Sequence, residues 1–241
     1  MRGQQHWDGI TKSVSWKEEY AKHLKDVFEA AKSAQWSRVL ELMGEDTSLL
    51  HVVEPDEPSF NTLLHHAVLT NADMEVISQF VQVASLTRRN AHDQTALDVA
   101  REHHHEHLYH ILEPEIKYDV SIDIARQLER SFHAVIPKTV RSHIVEAYAF
   151  QLPQIPVLLE LDEPYGYFRV PGMYGGFRYW LKLENSDVVL LSHIASRVFG
   201  GSDVMHKMTT TGYELFARGY EAEDLLGTEL EQKLQPIKKD S

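Results

Sequence analysis

The chain has 241 residues and a formal net charge of −12, from 24 Lys and Arg against 36 Asp and Glu. Such an acidic chain repels phosphate backbones, which argues against nucleic acid as a partner. There is no cysteine, which excludes disulfides, thiolate metal sites and cysteine nucleophiles.

The N-terminal stretch MRGQQHWDGITKSVSWKEEY lacks an apolar segment of signal-peptide length. No apolar run approaches the roughly 18 residues of a membrane helix. A soluble, cytoplasmic protein without membrane association is therefore expected. Residues 1–21 read as an N-terminal extension.

From about residue 22 the sequence repeats itself. TLLHHA (62–67) and TALDVA (95–100) lie 33 residues apart, 95 − 62. Each is followed by apolar residues at helical i, i+3, i+4 spacing: Val76, Ile77, Phe80 and Val81 after the first, Leu108, Ile111 and Leu112 after the second. A degenerate first copy, DVFEAA (26–31), precedes Val39, Leu40, Leu42 and Met43. Ala31, Ala67 and Ala100 read as one recurring small position where two helices approach closely. Segment 44–61 carries Gly, Pro, Asp and Asn as turn signals.

This pattern resembles the ankyrin repeat, whose period is about 33 residues and whose first helix opens with T-P-L-H-x-A. Thr62, Leu64, His65 and Ala67 match, as do Thr95, Leu97 and Ala100; Leu63 and Ala96 replace the signature proline. Asn90 and Asp93 fall where the family's loop carries Asn and Asp. The resemblance implies about three helix pairs over 22–114, each too small to bury its apolar face alone. It also implies a structural His65 bonded to a neighbouring loop and an exposed His66 on the concave face. A concave recognition surface follows, with His66, Leu69, Arg88, Arg89, His92, Gln94 and Glu102 as its partner-binding candidates.

The run HHHEHLYH (103–110) first suggests metal ligands, because His103, His107 and His110 share a face of a continuous helix. In the repeat register the run instead straddles the boundary between two helices. His104 then takes a turn position usually held by glycine, His103 and His107 separate, and no metal or other cofactor is expected. Crowded imidazoles would still load that turn with charge near their ordinary pKa of about 6.5.

Residues 115–230 read as an α+β domain with antiparallel hairpins, and 231–241 as a polar tail. Two helices are expected, 118–132 and one opening at Pro137 and running to 150; proline suits a first turn. The run VLLEL (157–161) fits either a strand or a helical turn. Strands are expected over 177–183, 188–198 and 204–210, with period-2 alternation in FRYWLKL. Residues 210–221 fit a short helix or a last strand. Segments 170–177 and 196–203 resemble motifs in uncharacterised ankyrin-bearing bacterial proteins, a likeness that brings no activity with it. The fold class is thus α+β: N-terminal α-helical ankyrin-like repeats, then two helices and an antiparallel sheet.

Catalytic signals are weak. The Gly-rich PGMYGGF and VFGGSD match neither nucleotide-binding fingerprint. Ser192-His193 and Ser202 with His206 lack a nucleophile elbow. Glu160, Asp162 and Glu163 are close in sequence without a paired-carboxylate context. Tyr174, Arg178, Trp180, Arg197 and His206 would form a ligand or recognition patch if they shared one sheet face. The expected function is a non-catalytic protein–protein interaction module. Two alternatives stay open: an immunity protein neutralising a basic toxin, and an enzyme or small-ligand binder with its site in the C-terminal sheet.

Overall fold

The computed structural model describes residues 5–7, 9–140, 150–170, 175–196 and 203–235. The chain divides into two compact units. One comprises Ile10–Glu115 with Tyr148–Gln151, and the other Met1–Gly9, Ile116–Ala147 and Leu152–Ser241. Together they make a mixed α+β protein, with helices mostly N-terminal and strands mostly C-terminal.

The first unit is helical. Its elements are α1 (Glu18–Lys32), α2 (Trp36–Met43), α3 (Leu63–Leu69), α4 (Met74–Val81), α5 (Ala96–Glu102) and α6 (Tyr109–Leu112). The helix after each of α1, α3 and α5 is reached through one tight turn, repeated three times. Ala34, Asn71 and His104 each adopt a positive φ, of 55°, 50° and 57°. The next amide donates back five residues: Gln35 to Ala30 O, Ala72 to Ala67 O, His105 to Ala100 O. This bond satisfies a carbonyl that a helix end leaves orphaned. His104 occupies its turn position as the repeat register predicts. The register corrects one alignment, however: Ala30, not Ala31, is the equivalent of Ala67 and Ala100, so the first spacing is 67 − 30 = 37 residues.

The starts of α3 and α5 are also equivalent. Thr95 and Asp98 cap each other reciprocally, Asp98 Oδ2 accepting from the Thr95 amide at 2.9 Å and Thr95 Oγ1 from the Asp98 amide at 3.2 Å. His65 takes the aspartate's place in α3, its Nδ1 accepting from the Thr62 amide at 3.3 Å. Such a box satisfies two orphan helix donors. A single core runs through the unit, including Leu24, Phe28, Leu64, Phe80, Leu97 and Leu112. Each such side chain contributes about 1.5–3 kcal/mol by leaving water.

The second unit is built on a six-stranded sheet in sequence order: β1 (Gln5–Trp7), β2 (Tyr165–Arg169), β3 (Gly175–Glu184), β4 (Asp187–Ser196), β5 (Val204–Thr209) and β6 (Gly212–Arg218). β1 pairs parallel to β2 and every other pair is antiparallel. The sheet is therefore mixed, not antiparallel throughout. The difference lies in Gln5–Trp7, part of the stretch read as an extension, which reaches its place by chain return rather than by a hairpin. Trp7 is buried. Residues 210–221 resolve as β6 followed by α8 (Tyr220–Glu231).

Period-2 alternation gives the sheet two apolar faces. Phe177 and Tyr179 pack on Phe132 of α7 (Ile122–Thr139), with ring centroids 5.7 and 5.2 Å away. Trp180, on the opposite face, packs with Leu191, Met205 and Ala222 and donates from Nε1 to Glu229 O of α8 at 3.1 Å. Gly176 permits β2 and β3 to approach, since a Cβ there would sit 2.2 Å from Phe168 O.

Two local expectations change. α7 is capped by Ser121, whose Oγ accepts from the Ile124 amide at 3.2 Å, and runs past Pro137 to Thr139. Pro137 thus stands in the last turn of α7, where its missing N–H forgoes one i→i−4 bond, and does not open a new helix. The rest of the expected 137–150 helix lies mostly outside the described residues. Residues 157–160 of the run VLLEL fall in a 3₁₀ turn, Ile155–Glu160, with Pro156 in its first turn and Leu161 as its extended C-cap.

Candidate functional site: a groove beside helix α1

A cleft of about 530 Å³ opens in the helical unit between α1 and the loop 54–57. The loop is held in place by backbone bonds. Glu54 N donates to Asn61 O at 3.0 Å and Asp56 N to Thr11 O at 2.8 Å. The i, i+4 spacing of Ala21, Lys25 and Glu29 aims one face of α1 into the cleft.

The floor is ionic. Glu54 is 5% exposed, and both of its oxygens are engaged. Lys32 Nζ lies 2.7 Å from Oε1 and His66 Nε2 lies 3.1 Å from Oε2. Burial works to raise the Glu54 pKa, but the hydrogen bonds from His66 and Lys32 outweigh it and hold the carboxyl below its ordinary range. Lys32 is raised, mostly by its bond to Glu29 at 2.8 Å and then by Glu54. Phe28 meets the His66 ring edge-on at 5.8 Å. A carboxylate so occupied is not poised to take a proton from a ligand. The floor supports the groove, and the exposed rim residues Glu18, Lys22, Lys25 and Glu57 are the groups available to a partner.

The candidates for partner contact separate into two groups. Leu69, His92 and Glu102 are exposed and Gln94 is half-buried; Gln94 Nε2 donates to Glu102 Oε2 at 2.5 Å. His66, Arg88 and Arg89 are buried, contrary to the expected exposed face. His66 turns inward to Glu54. Arg88 donates to His51 O and, at 3.0 Å, to Gln151 Oε1, and Arg89 pairs with Asp93 at 2.8 Å. Guanidinium groups with several N–H donors can tie loops together from within, which sequence spacing does not reveal.

His65 behaves as the resemblance implied. Its Nε2 lies 3.1 Å from Gln94 O in the following loop. Because Nδ1 accepts from the Thr62 amide, Nε2 is the protonated nitrogen of a neutral ring. Burial lowers its pKa from 6.5 to about 4.

In the sheet unit the expected patch divides. Arg178 and Trp180 share a face, whereas His206 pairs with Ser192 and lies on the face of Tyr179. Tyr174 and Arg197 lie outside the described residues, as do Ser202 and most of both Gly-rich motifs. Ser192 and His193 point to opposite faces, so they form no dyad. His193 lies 3.4 Å from Asp203, and burial lowers its pKa. Glu160 is buried, Asp162 pairs with Lys117 at 2.6 Å and Glu163 with Lys233 at 2.7 Å. These carboxylates serve separate contacts.

Sequence reasoning missed Lys32 and Glu54. Glu54 sits in a loop without periodicity, and only the fold brings it under α1. Comparison with family models and with curated proteins found no match for this chain. Among the described residues no helix is long and apolar enough to cross a membrane.

Proposed function

We propose that this protein is a non-catalytic protein–protein interaction module, with residues 22–114 forming ankyrin-like repeats. The thrice-repeated turn at Ala34, Asn71 and His104 is the observation that carries this reading, because stacked identical helix pairs present an extended groove rather than a closed pocket. The partner is a protein with a basic surface. The helical unit holds nine Lys and Arg against eighteen Asp and Glu, so −9 of the net −12 resides there. Charge of one sign steers an oppositely charged partner and raises its on-rate.

The test is affinity purification on the immobilised full chain, with three variants. E57K and E18K change exposed groove-rim residues, and E221K changes an exposed residue of α8. The reading expects a basic protein retained by wild type and E221K and lost or weakened by the groove variants, all four having the same circular dichroism. Equal retention by all four would remove the groove as the interface.

The charge distribution also favours a second reading, that of a neutraliser of a basic toxin. Co-expression with a toxic gene from the same neighbourhood tests it: rescue of growth supports it, and no rescue counts against it. Arg178 and His206 on opposite sheet faces weigh against an enzyme site built from both.

A further inference from the structure

Two arginines of the sheet have no acidic partner in this acidic chain. Arg169 of β2 is exposed and Arg178 of β3 is half-buried, and among the described residues neither is hydrogen-bonded or ion-paired. The lysines on the same sheet face are paired: Lys182 with Glu229 at 2.6 Å and Lys207 with Glu214 at 2.8 Å. A half-buried charge gives up hydration that a partner normally replaces. The strand register sets the two arginines together. Tyr167 stands opposite Arg178, and Arg169 opposite Gly176. Residues two apart on a strand share a face, so these four positions form the corners of one patch. The arginines hold diagonal corners, about 7–8 Å apart along the backbone and within reach of long side chains. Gly176 leaves the fourth corner without a side chain. Tyr167 is half-buried, and the exposed His6 of β1 meets its ring edge-on at 5.7 Å. Across β4, His193 stands opposite Arg178 but is buried and lies 3.4 Å from Asp203, a carboxylate that forms no ion pair with Arg178.

We propose that this patch binds a phosphate monoester carried on a planar ring, with Arg169 and Arg178 holding the phosphate and Tyr167 and His6 flanking the ring. Guanidinium forks fit phosphate oxygens through paired N–H donors. Two guanidinium charges match a phosphate monoester of charge about −1.5 to −2, whereas a single carboxylate leaves one of them unpaired. The patch belongs to the sheet unit alone, so it stands or falls independently of the groove beside α1.

The experiment is isothermal titration of the full chain with phenyl phosphate at pH 7.5 and low salt. Wild type is expected to bind one molecule per chain. R169Q and R178Q are each expected to weaken binding at least tenfold, the loss of charge-assisted hydrogen bonds. R218Q removes the same charge from an exposed residue of β6 and is expected to titrate like wild type. Y167L is expected to weaken phenyl phosphate while leaving inorganic phosphate unchanged. Circular dichroism checks that every variant is folded, and the exposed Arg169 keeps the test decisive if R178Q misfolds. Benzoate, with the same ring on a carboxylate, is expected to bind at least tenfold more weakly than phenyl phosphate. Absence of saturable phenyl phosphate binding in wild type overturns the proposal. So does unchanged binding by folded R169Q, an R218Q variant weakened as much as R169Q, or benzoate binding as tightly as phenyl phosphate.

Discussion

Acidification tests the role of His65. The ring is 1% exposed and neutral in the folded state, with a pKa lowered from 6.5 to about 4 by burial. Between those values the unfolded chain binds a proton that the folded chain refuses. The stability tied to the neutral ring is therefore fully present above pH 6.5, is lost progressively as pH falls toward 4, and changes no further below that. At 1.36 kcal/mol per pH unit, the loss is roughly 3 kcal/mol. Urea unfolding followed by tryptophan fluorescence, run from pH 7.5 to pH 4 on wild type and H65Q, isolates this effect. The variant is expected to be less stable at pH 7.5 by about 1–3 kcal/mol, because Thr62 and Gln94 lose a partner. That deficit should shrink by roughly 3 kcal/mol on going to pH 4, and other histidines cancel in the difference. A deficit constant across the range would refute the reasoning.

Other substitutions have equally definite outcomes. R89E sets a carboxylate beside Asp93 in a buried position and is expected to cost about 3–5 kcal/mol in urea unfolding, a fold defect rather than a contact defect. E54A removes the acceptor of His66 and is expected to cost about 1–3 kcal/mol by the same assay, with Lys32 free to keep its bond to Glu29. H104G relieves a side chain at φ 57° and is expected to raise stability by roughly 0.5–1 kcal/mol, read as a shifted urea midpoint at constant slope. G176A drives a Cβ into Phe168 O and is expected to lower the melting temperature of the sheet unit, at a cost of about 1–3 kcal/mol.

Much of the fold was legible because it rests on local physics. The threonine caps at Thr62 and Thr95, the apolar spacings after them and the turn at His104 are short-range requirements, and so they repeat in the sequence. The alternation of FRYWLKL marked β3 for the same reason. The parallel place of Gln5–Trp7 was not legible: three residues carry no period, and their partner β2 lies about 160 residues away. Nor was the groove floor. Lys32, Glu54 and His66 come from a helix end, an irregular loop and a helix interior, with no fixed spacing among them.

The helix pairs, their turns, the sheet's hairpins and the acidic balance of the chain follow from residue order and composition. Residue order also splits HHHEHLYH across a helix boundary. Which polar residues face inward emerges from packing between distant segments. His66, Arg88 and Arg89 were expected at a surface and are buried: His66 and Arg88 find hydrogen-bond partners in distant segments of their unit, and Arg89 pairs with Asp93 of its own loop. The fold likewise set the ring of His105 beside those of His103 and His107. A positive φ at a single residue turns neighbours that a continuous helix would hold apart into side-by-side rings, and composition carries no trace of that.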